Sequence, residues 1–188
     1  MKQHDIEAEA LRLLNAERSR EQVTATSLNY PSMTMDDAYA IQKRGIELKL
    51  AEGRKVKGYK IGLTSRAMQD VMKITEPDYG VLLDDMFFED GGDIETARFT
   101  DPRIEVELAF VLKDRLEGDV SLFDVLNATD YVIPALELIA ARSYRVDPDT
   151  GFTRTVLDTI SDNAANAGII LGGRPIKPNQ MDLRWIGA

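Results

Sequence analysis

The chain of 188 residues contains no cysteine and a single histidine, His4, close to its first residue. Thiol nucleophiles, thiolate zinc sites and histidine metal clusters are thereby excluded, and a Ser-His-Asp triad would have to use that terminal residue. Any catalysis rests on carboxylates, lysine, hydroxyls and a hard metal ion. Basic residues are also scarce: 23 Lys and Arg stand against 32 Asp and Glu, a net charge of −9. That balance, with no long basic cluster, is a poor match to a polyanion, and nucleic acid is not an expected partner. No apolar run approaches the roughly 20 residues that span a bilayer. Met1 to Asp5 lead into an acidic amphipathic stretch, not a signal-peptide core, so the expectation is a cytoplasmic protein without membrane association. Internal repeats, low-complexity segments and proline-rich linkers are missing too, and the 44% hydrophobic content suits one globular domain with a real core.

From Asp5 to about Arg18 the apolar residues Ile6, Ala10, Leu11, Leu13 and Leu14 recur at helical spacing. Thr34-Met35-Asp36-Asp37 has the form of a capping box, and Ala38, Ile41, Gly45 and Leu48 continue a second helix, about 34 to 52, until Gly53 stops it. The β-rich part begins near residue 56. Lys57 to Leu63 reads as a glycine-punctuated strand, Ser65 as the cap of a brief helix through Met72, and Gly80 to Phe88 as a strand followed by an Asp90-Gly91-Gly92-Asp93 turn. Arg103 to Leu112 is a long strand, Ser121 to Thr129 a capped helix, and Tyr131 to Ala140 and Ala167 to Leu171 are further strands. Ser143 to Thr155 is the longest irregular segment, expected to border a ligand site. The organisation is α+β: an N-terminal helical region, residues 1–55, and a β-rich catalytic region, residues 56–188, within a single structural domain. Leu183 to Ala188 has the apolar pattern of a strand beginning or in mid-course, which suggests a C-terminal truncation.

The sharpest anomaly lies in Ile104-Glu105-Val106-Glu107-Leu108-Ala109-Phe110-Val111-Leu112, an inner-strand-like run broken by two carboxylates. Strand alternation places Glu105 and Glu107 on one face. A third carboxylate, Glu137, sits in a similar apolar setting within Ile133 to Ile139. Burying three like charges together would cost several kcal/mol without compensation, and a divalent cation is the simplest compensation. Oxygen-only ligands favour magnesium, with manganese as a substitute, over zinc or copper. The same residues admit a plainer arrangement, with Glu105 and Glu107 facing solvent and Glu137 paired to an arginine.

Lys60, between Tyr59 and Ile61 and before Gly62, is either a charge partner on a partly buried strand or a surface lysine beside Lys55 and Lys57. Asp78 in Pro77-Asp78-Tyr79-Gly80 is either a proton-transfer group or ordinary turn chemistry. Asp162 to Gly168, rich in small and amide residues, reads as a loop-to-strand junction without a phosphate-binding fingerprint.

Five ordered motifs, Tyr59-Lys60-Ile61-Gly62-Leu63-Thr64-Ser65, Pro77-Asp78-Tyr79-Gly80, Pro102-Arg103-Ile104-Glu105-Val106-Glu107, Pro134-Ala135-Leu136-Glu137 and Ser161-Asp162-Asn163-Ala164, resemble the hydratase and decarboxylase branch of the fumarylacetoacetate hydrolase superfamily. The resemblance runs from about Thr34 to the end. It implies a mixed-β catalytic fold with helices outside it, and a magnesium ion held by Glu105, Glu107 and Glu137. It also places Lys60 and Asp78 in the active site of a homo-oligomeric hydratase acting on a small 2-oxo-alkenedioate. Within the branch the rivals are a 2-oxo-3-enedioate decarboxylase and a five-carbon 2-hydroxydienoate hydratase. Outside it the rival is a non-catalytic assembly subunit with a structural cation. A second substrate carboxylate requires a cation, for which Arg142, Arg145, Arg154 and Lys57 are candidates. Members of the family continue beyond the equivalent of Ala188, with strands that complete the β fold.

Overall fold

The computed structural model describes residues 1–186. Its first helix, α1 (Gln3–Ser19), buries Ile6, Ala10, Leu13 and Leu14 along one stripe and stops where Arg20 turns left-handed at φ 61°. A single turn, α2 (Thr26–Asn29), precedes α3 (Met35–Ala51), whose capping box is formed: the Thr34 N–H donates to Asp37 Oδ2 at 2.8 Å and the Asp37 N–H to Thr34 Oγ1 at 3.3 Å. Helices α1 and α3 pack through Ile6, Ala10, Leu13, Ala38 and Ile41, joined by Ile160 of α6 (Val156–Ser161). Burying an aliphatic side chain of this size contributes about 1.5–3 kcal/mol, so this cluster anchors the helical layer.

The chain then forms an antiparallel hairpin of β1 (Val56–Gly62) and β2 (Asp78–Leu83), with the brief helix α4 (Arg66–Met72), capped by Ser65, in its connection. Beyond it lies a mixed four-stranded sheet in the order β3 (Phe87–Phe88), β6 (Asn166–Leu171), β5 (Thr129–Ile139), β4 (Arg103–Leu112). The pair β3–β6 is parallel and the others antiparallel, and α5 (Leu122–Ala128) joins β4 to β5. Strand β2 is the middle layer. Val81 and Leu83 pack on Ile46 of α3 and on Met86, while Leu82 on the opposite face packs on Ala135 of β5 and Ile169 of β6. A strand covered on both faces is apolar throughout, which is why Val81-Leu82-Leu83 carries no alternation.

Residues 80–88 are not one strand. After Leu83 a 3-10 turn, Asp84–Met86, carries the chain from the hairpin to the sheet, because β2 pairs with β1 and β3 with β6. The buried Met86 anchors that step. Helix α6 lies outside the sequence expectation although Thr155 and Asp158 form a capping box at its start. Leu183–Trp185 form a 3-10 turn and not a strand, while Gly187 and Ala188 of the expected strand lie outside the described residues. Among the described residues no helix is long and apolar enough to cross a membrane.

Helices and sheet are tied by charge as well as by apolar contact. Arg142, just past β5, is buried with its Nε donating to Asp162 Oδ1 at 2.5 Å, and its Nη1 donates to the carbonyls of Ala140 and Asn166 at 2.7 and 2.9 Å. Glu17 of α1 lies 3.9 Å from the same guanidinium and bonds Lys49 of α3 at 2.6 Å. Truncating Asp162 leaves the buried guanidinium without its hydrogen-bonded counter-charge, at a cost of about 3–5 kcal/mol. Urea unfolding of Asp162→Ala is therefore expected to show a loss of that order, and a loss below about 1 kcal/mol would contradict this account of the tie.

Candidate active site and metal centre

Directly paired residues of a hairpin project to one face, so the register Lys60 to Gly80 and Gly62 to Asp78 puts the Lys60 and Asp78 side chains on the same side of β1–β2. That side also carries Leu82 and is the one seated on the sheet. In the sheet, Glu105 pairs with Glu137 and Glu107 with Ala135, which gathers the three glutamates on the face toward the hairpin. One carboxylate oxygen from each of Glu105, Glu107 and Glu137 lies within 4.8 Å of the others. All five residues singled out from the sequence meet between the two sheets.

The burial differs from the expectation. Glu105 and Glu107 are exposed, and Glu137 alone is buried. Its counter-charge is a lysine and not an arginine: Lys60 Nζ lies 3.1 Å from Glu137 Oε1, with the two side chains 12% and 6% exposed. The contact is close enough for charge attraction but misaligned for a hydrogen bond, and Oε1 keeps no hydrogen-bond partner. Lys60 Nζ donates instead to the Ala164 carbonyl at 3.2 Å. Alternation turns this lysine inward while Lys55 and Lys57 face solvent.

Burial pushes the Glu137 carboxyl up to about 7; Lys60 opposes the shift and the neighbouring Glu105 and Glu107 add to it. Glu107 is raised by burial and by Glu105, against Lys60. Asp78 is raised by burial with partial relief from Lys60, and its Oδ1 is buried without a hydrogen-bond partner. Gly62 makes room for it, since a Cβ there would meet Asp78 Oδ1 at 2.2 Å. Three converging carboxylates, one of them with an unbonded buried oxygen, are a donor set that fits a hard divalent cation, which would offset the burial and repulsion that raise Glu107 and Glu137.

The wall of the site opposite Glu137 is a left-handed turn. Asn163, Ala164 and Ala165 have φ of 54°, 53° and 56°, a conformation costing about 1–2 kcal/mol for each residue with a Cβ. Sequence reasoning saw a plain junction here; nothing but the density of amide and small residues signals the turn. The four proposed cations for a distal carboxylate also separate. Arg142 is fully committed to the tie described above and cannot serve; Arg154 is half-buried with Nη1 on the Ser143 carbonyl at 3.1 Å, while Arg145 and Lys57 are exposed.

No family model matches the chain. It is 66% identical over 180 residues to a 2-oxo-hept-4-ene-1,7-dioate hydratase of Escherichia coli, covering 95% of this chain and 67% of that protein. The chain belongs to the hydratase and decarboxylase branch of the fumarylacetoacetate hydrolase superfamily. Within the branch it is 38% identical to a 2-keto-4-pentenoate hydratase of Paraburkholderia xenovorans, covering 96% of this chain and 65% of that one. A solved member, 4-oxalocrotonate decarboxylase from Pseudomonas putida G7 complexed with magnesium and adipate, superposes with a TM-score of 0.89 at 34% identity over 98% of this chain and 68% of that one. A calcium and acetate complex of that decarboxylase gives 0.88. The chain thus spans about two thirds of the length of the relatives it matches.

The raised Glu137 carboxyl has a measurable consequence in metal-free protein. Its folded pKa of about 7 exceeds the ordinary 4.5, so the proton is bound more tightly folded than unfolded. Its contribution to stability is complete below about pH 4.5 and is lost as pH rises through about 7. Urea unfolding in chelator should therefore show wild type losing about 1–3 kcal/mol relative to Glu137→Gln across that window. Parallel pH profiles of the two proteins would exclude the burial of a repelled carboxylate.

Proposed function

We propose that the chain is the metal-binding catalytic part of a hydratase that adds water to 2-oxohept-4-ene-1,7-dioate, giving 4-hydroxy-2-oxoheptanedioate, in the catabolism of an aromatic compound. The observation that carries this reading is the 66% identity to a hydratase of that substrate, on a chain whose acid cluster, Lys60 and Asp78 converge. Magnesium is the proposed cofactor, held by Glu105, Glu107 and Glu137; the donor set and the magnesium complex of the similar decarboxylase support it, and manganese has the same oxygen preference. When bound, the ion supplies Lewis acidity to negative charge developing on the 2-oxo group.

The protein's own groups manage protons. The dienol tautomer, 2-hydroxyhepta-2,4-dienedioate, takes a proton at C5 as its hydroxyl proton leaves, giving a ketone conjugated to the C3–C4 double bond. Water then adds its oxygen at C4 and a proton at C3. Asp78, whose burial makes it hold a proton to higher pH than an ordinary aspartate, is the proposed donor. Lys60, fixed between Glu137 and the Ala164 carbonyl, orients the attacking water and stabilises charge beside the acid cluster.

The exposed apolar side chains Ile104, Val106 and Phe110 on the far face of β4 support assembly as a homo-oligomer. A second reading, a 2-oxo-3-enedioate decarboxylase, is favoured by the likeness to 4-oxalocrotonate decarboxylase. The two separate on a pair of substrates with magnesium: a hydratase converts the seven-carbon dienoate to the 4-hydroxy product, whereas a decarboxylase releases carbon dioxide from a six-carbon 2-oxo-3-enedioate, whose distal carboxylate sits on the carbon conjugated to the 2-oxo group. Release of carbon dioxide from the six-carbon substrate without hydration of the seven-carbon one would reject the hydratase. In the same assay Lys60→Met is expected to lower kcat by about 100-fold or more with magnesium affinity retained. An unchanged kcat would remove Lys60 from the chemistry.

A further inference from the structure

The Lys60 ammonium is held from two sides, by Glu137 and by the Ala164 carbonyl of the left-handed turn. Its geometry is built from both directions. From the turn, Asn163 clamps the backbone of β2: its Oδ1 accepts from the Val81 N–H at 2.7 Å and its Nδ2 donates to the Val81 carbonyl at 2.9 Å. From the hairpin, Gly80, the residue paired with Lys60, leaves a gap into which the turn fits, since a Cβ there would meet the Asn163 carbonyl oxygen at 2.6 Å and Lys60 Cγ at 3.2 Å. The Ala164 carbonyl is thereby delivered to Lys60 Nζ at 3.2 Å.

We infer that Asn163 is a positioning residue for the proposed reaction, acting through the Ala164 carbonyl to hold Lys60 against Glu137. The inference rests on the reading of Lys60 as a catalytic group and goes beyond it. A left-handed run without glycine is unfavourable in isolation, so surrounding contacts must hold it. The left-handed run directs the Ala165 carbonyl to the Ala140 N–H at 2.8 Å and the Ala164 carbonyl to Lys60. A lysine has four rotatable side-chain bonds, so its ammonium wanders unless two partners fix it. Glu137 supplies charge without hydrogen-bond alignment, and the Ala164 carbonyl supplies the alignment.

Two readouts on the magnesium-loaded protein test this. In steady-state kinetics Asn163→Ala is expected to lower kcat by about 10- to 100-fold with KM changed less than about threefold, because a misplaced proton-handling group affects the chemical step more than binding. In timed acylation followed by mass spectrometry, wild-type Lys60 should react more slowly than the exposed Lys57, and Asn163→Ala should speed Lys60 alone. Gly80→Ala, which presses on the same contact from the hairpin, should reproduce both effects. Wild-type kcat and Lys60 labelling in a folded Asn163→Ala or Gly80→Ala protein would overturn the inference. So would wild-type Lys60 that labels as fast as Lys57, a measurement needing no variant to fold. If Lys60→Met itself keeps wild-type kcat, the catalytic reading of Lys60 fails; if it loses turnover while Asn163→Ala does not, only the positioning role fails.

Discussion

A carboxylate moved out of water must find positive charge, and Glu137 finds it on a different sheet. Its only ammonium partner among the described residues is Lys60, which belongs to the hairpin, while Glu137 belongs to the middle of the four-stranded sheet. The requirement dictates the layering. The hairpin must lie over the acid face, so β2 is apolar on both sides, Leu82 toward the sheet and Val81 and Leu83 toward α3. Helix α3 must in turn support β2, and its Gln42 does so by donating to the carbonyls of Tyr79 and Ile160 at 2.9 and 3.1 Å. Tyr39 stacks on Tyr79 with ring centroids 4.8 Å apart. Much of the helical layer thus serves to press one lysine against one glutamate.

The pair also explains why the site divides into dissimilar acids. Glu105 and Glu107 stay in contact with solvent and lower the cost of bringing a second and third charge close. Glu137 takes the burial and the largest shift toward its neutral form. At the proposed metal site, Glu105 and Glu107 would hold a cation from the solvent side and Glu137 from the buried side.

What the sequence discloses tracks the range of the forces involved. Helices α1 and α3 and the strand at 103–112 are legible because periodicity and a capping box are local, and α6 carries an equally local Thr155–Asp158 signature just past the Ser143–Thr155 segment, where the sequence reading assigns no element. The break at Asp84–Met86 was illegible because it follows from which partner strand each half meets, information that lies about 80 residues away in β6. The glutamates were conspicuous against their apolar neighbours, but their meeting depends on the register of β4 on β5. Lys60 was ambiguous for the opposite reason, since Lys55 and Lys57 make it look like part of a surface patch. Arg142 shows the limit most clearly: as a charge near an irregular segment it resembled a ligand-binding group, and only its full set of buried acceptors marks it as structural.

The pairing of Glu105 directly opposite Glu137 also bears on how the sheet assembles. Like charges placed opposite one another disfavour their own alignment, whereas sliding β4 by one residue would send Glu105 and Glu107 to the other face and remove the conflict. The correct alignment is thus not the one electrostatics alone would choose during folding. Selection falls to the apolar half of the ladder, where Ile104 meets Leu138 and Val106 meets Leu136. A slipped alignment would scatter the carboxylates and leave the proposed cation site unassembled, and those aliphatic pairs favour the native register over it.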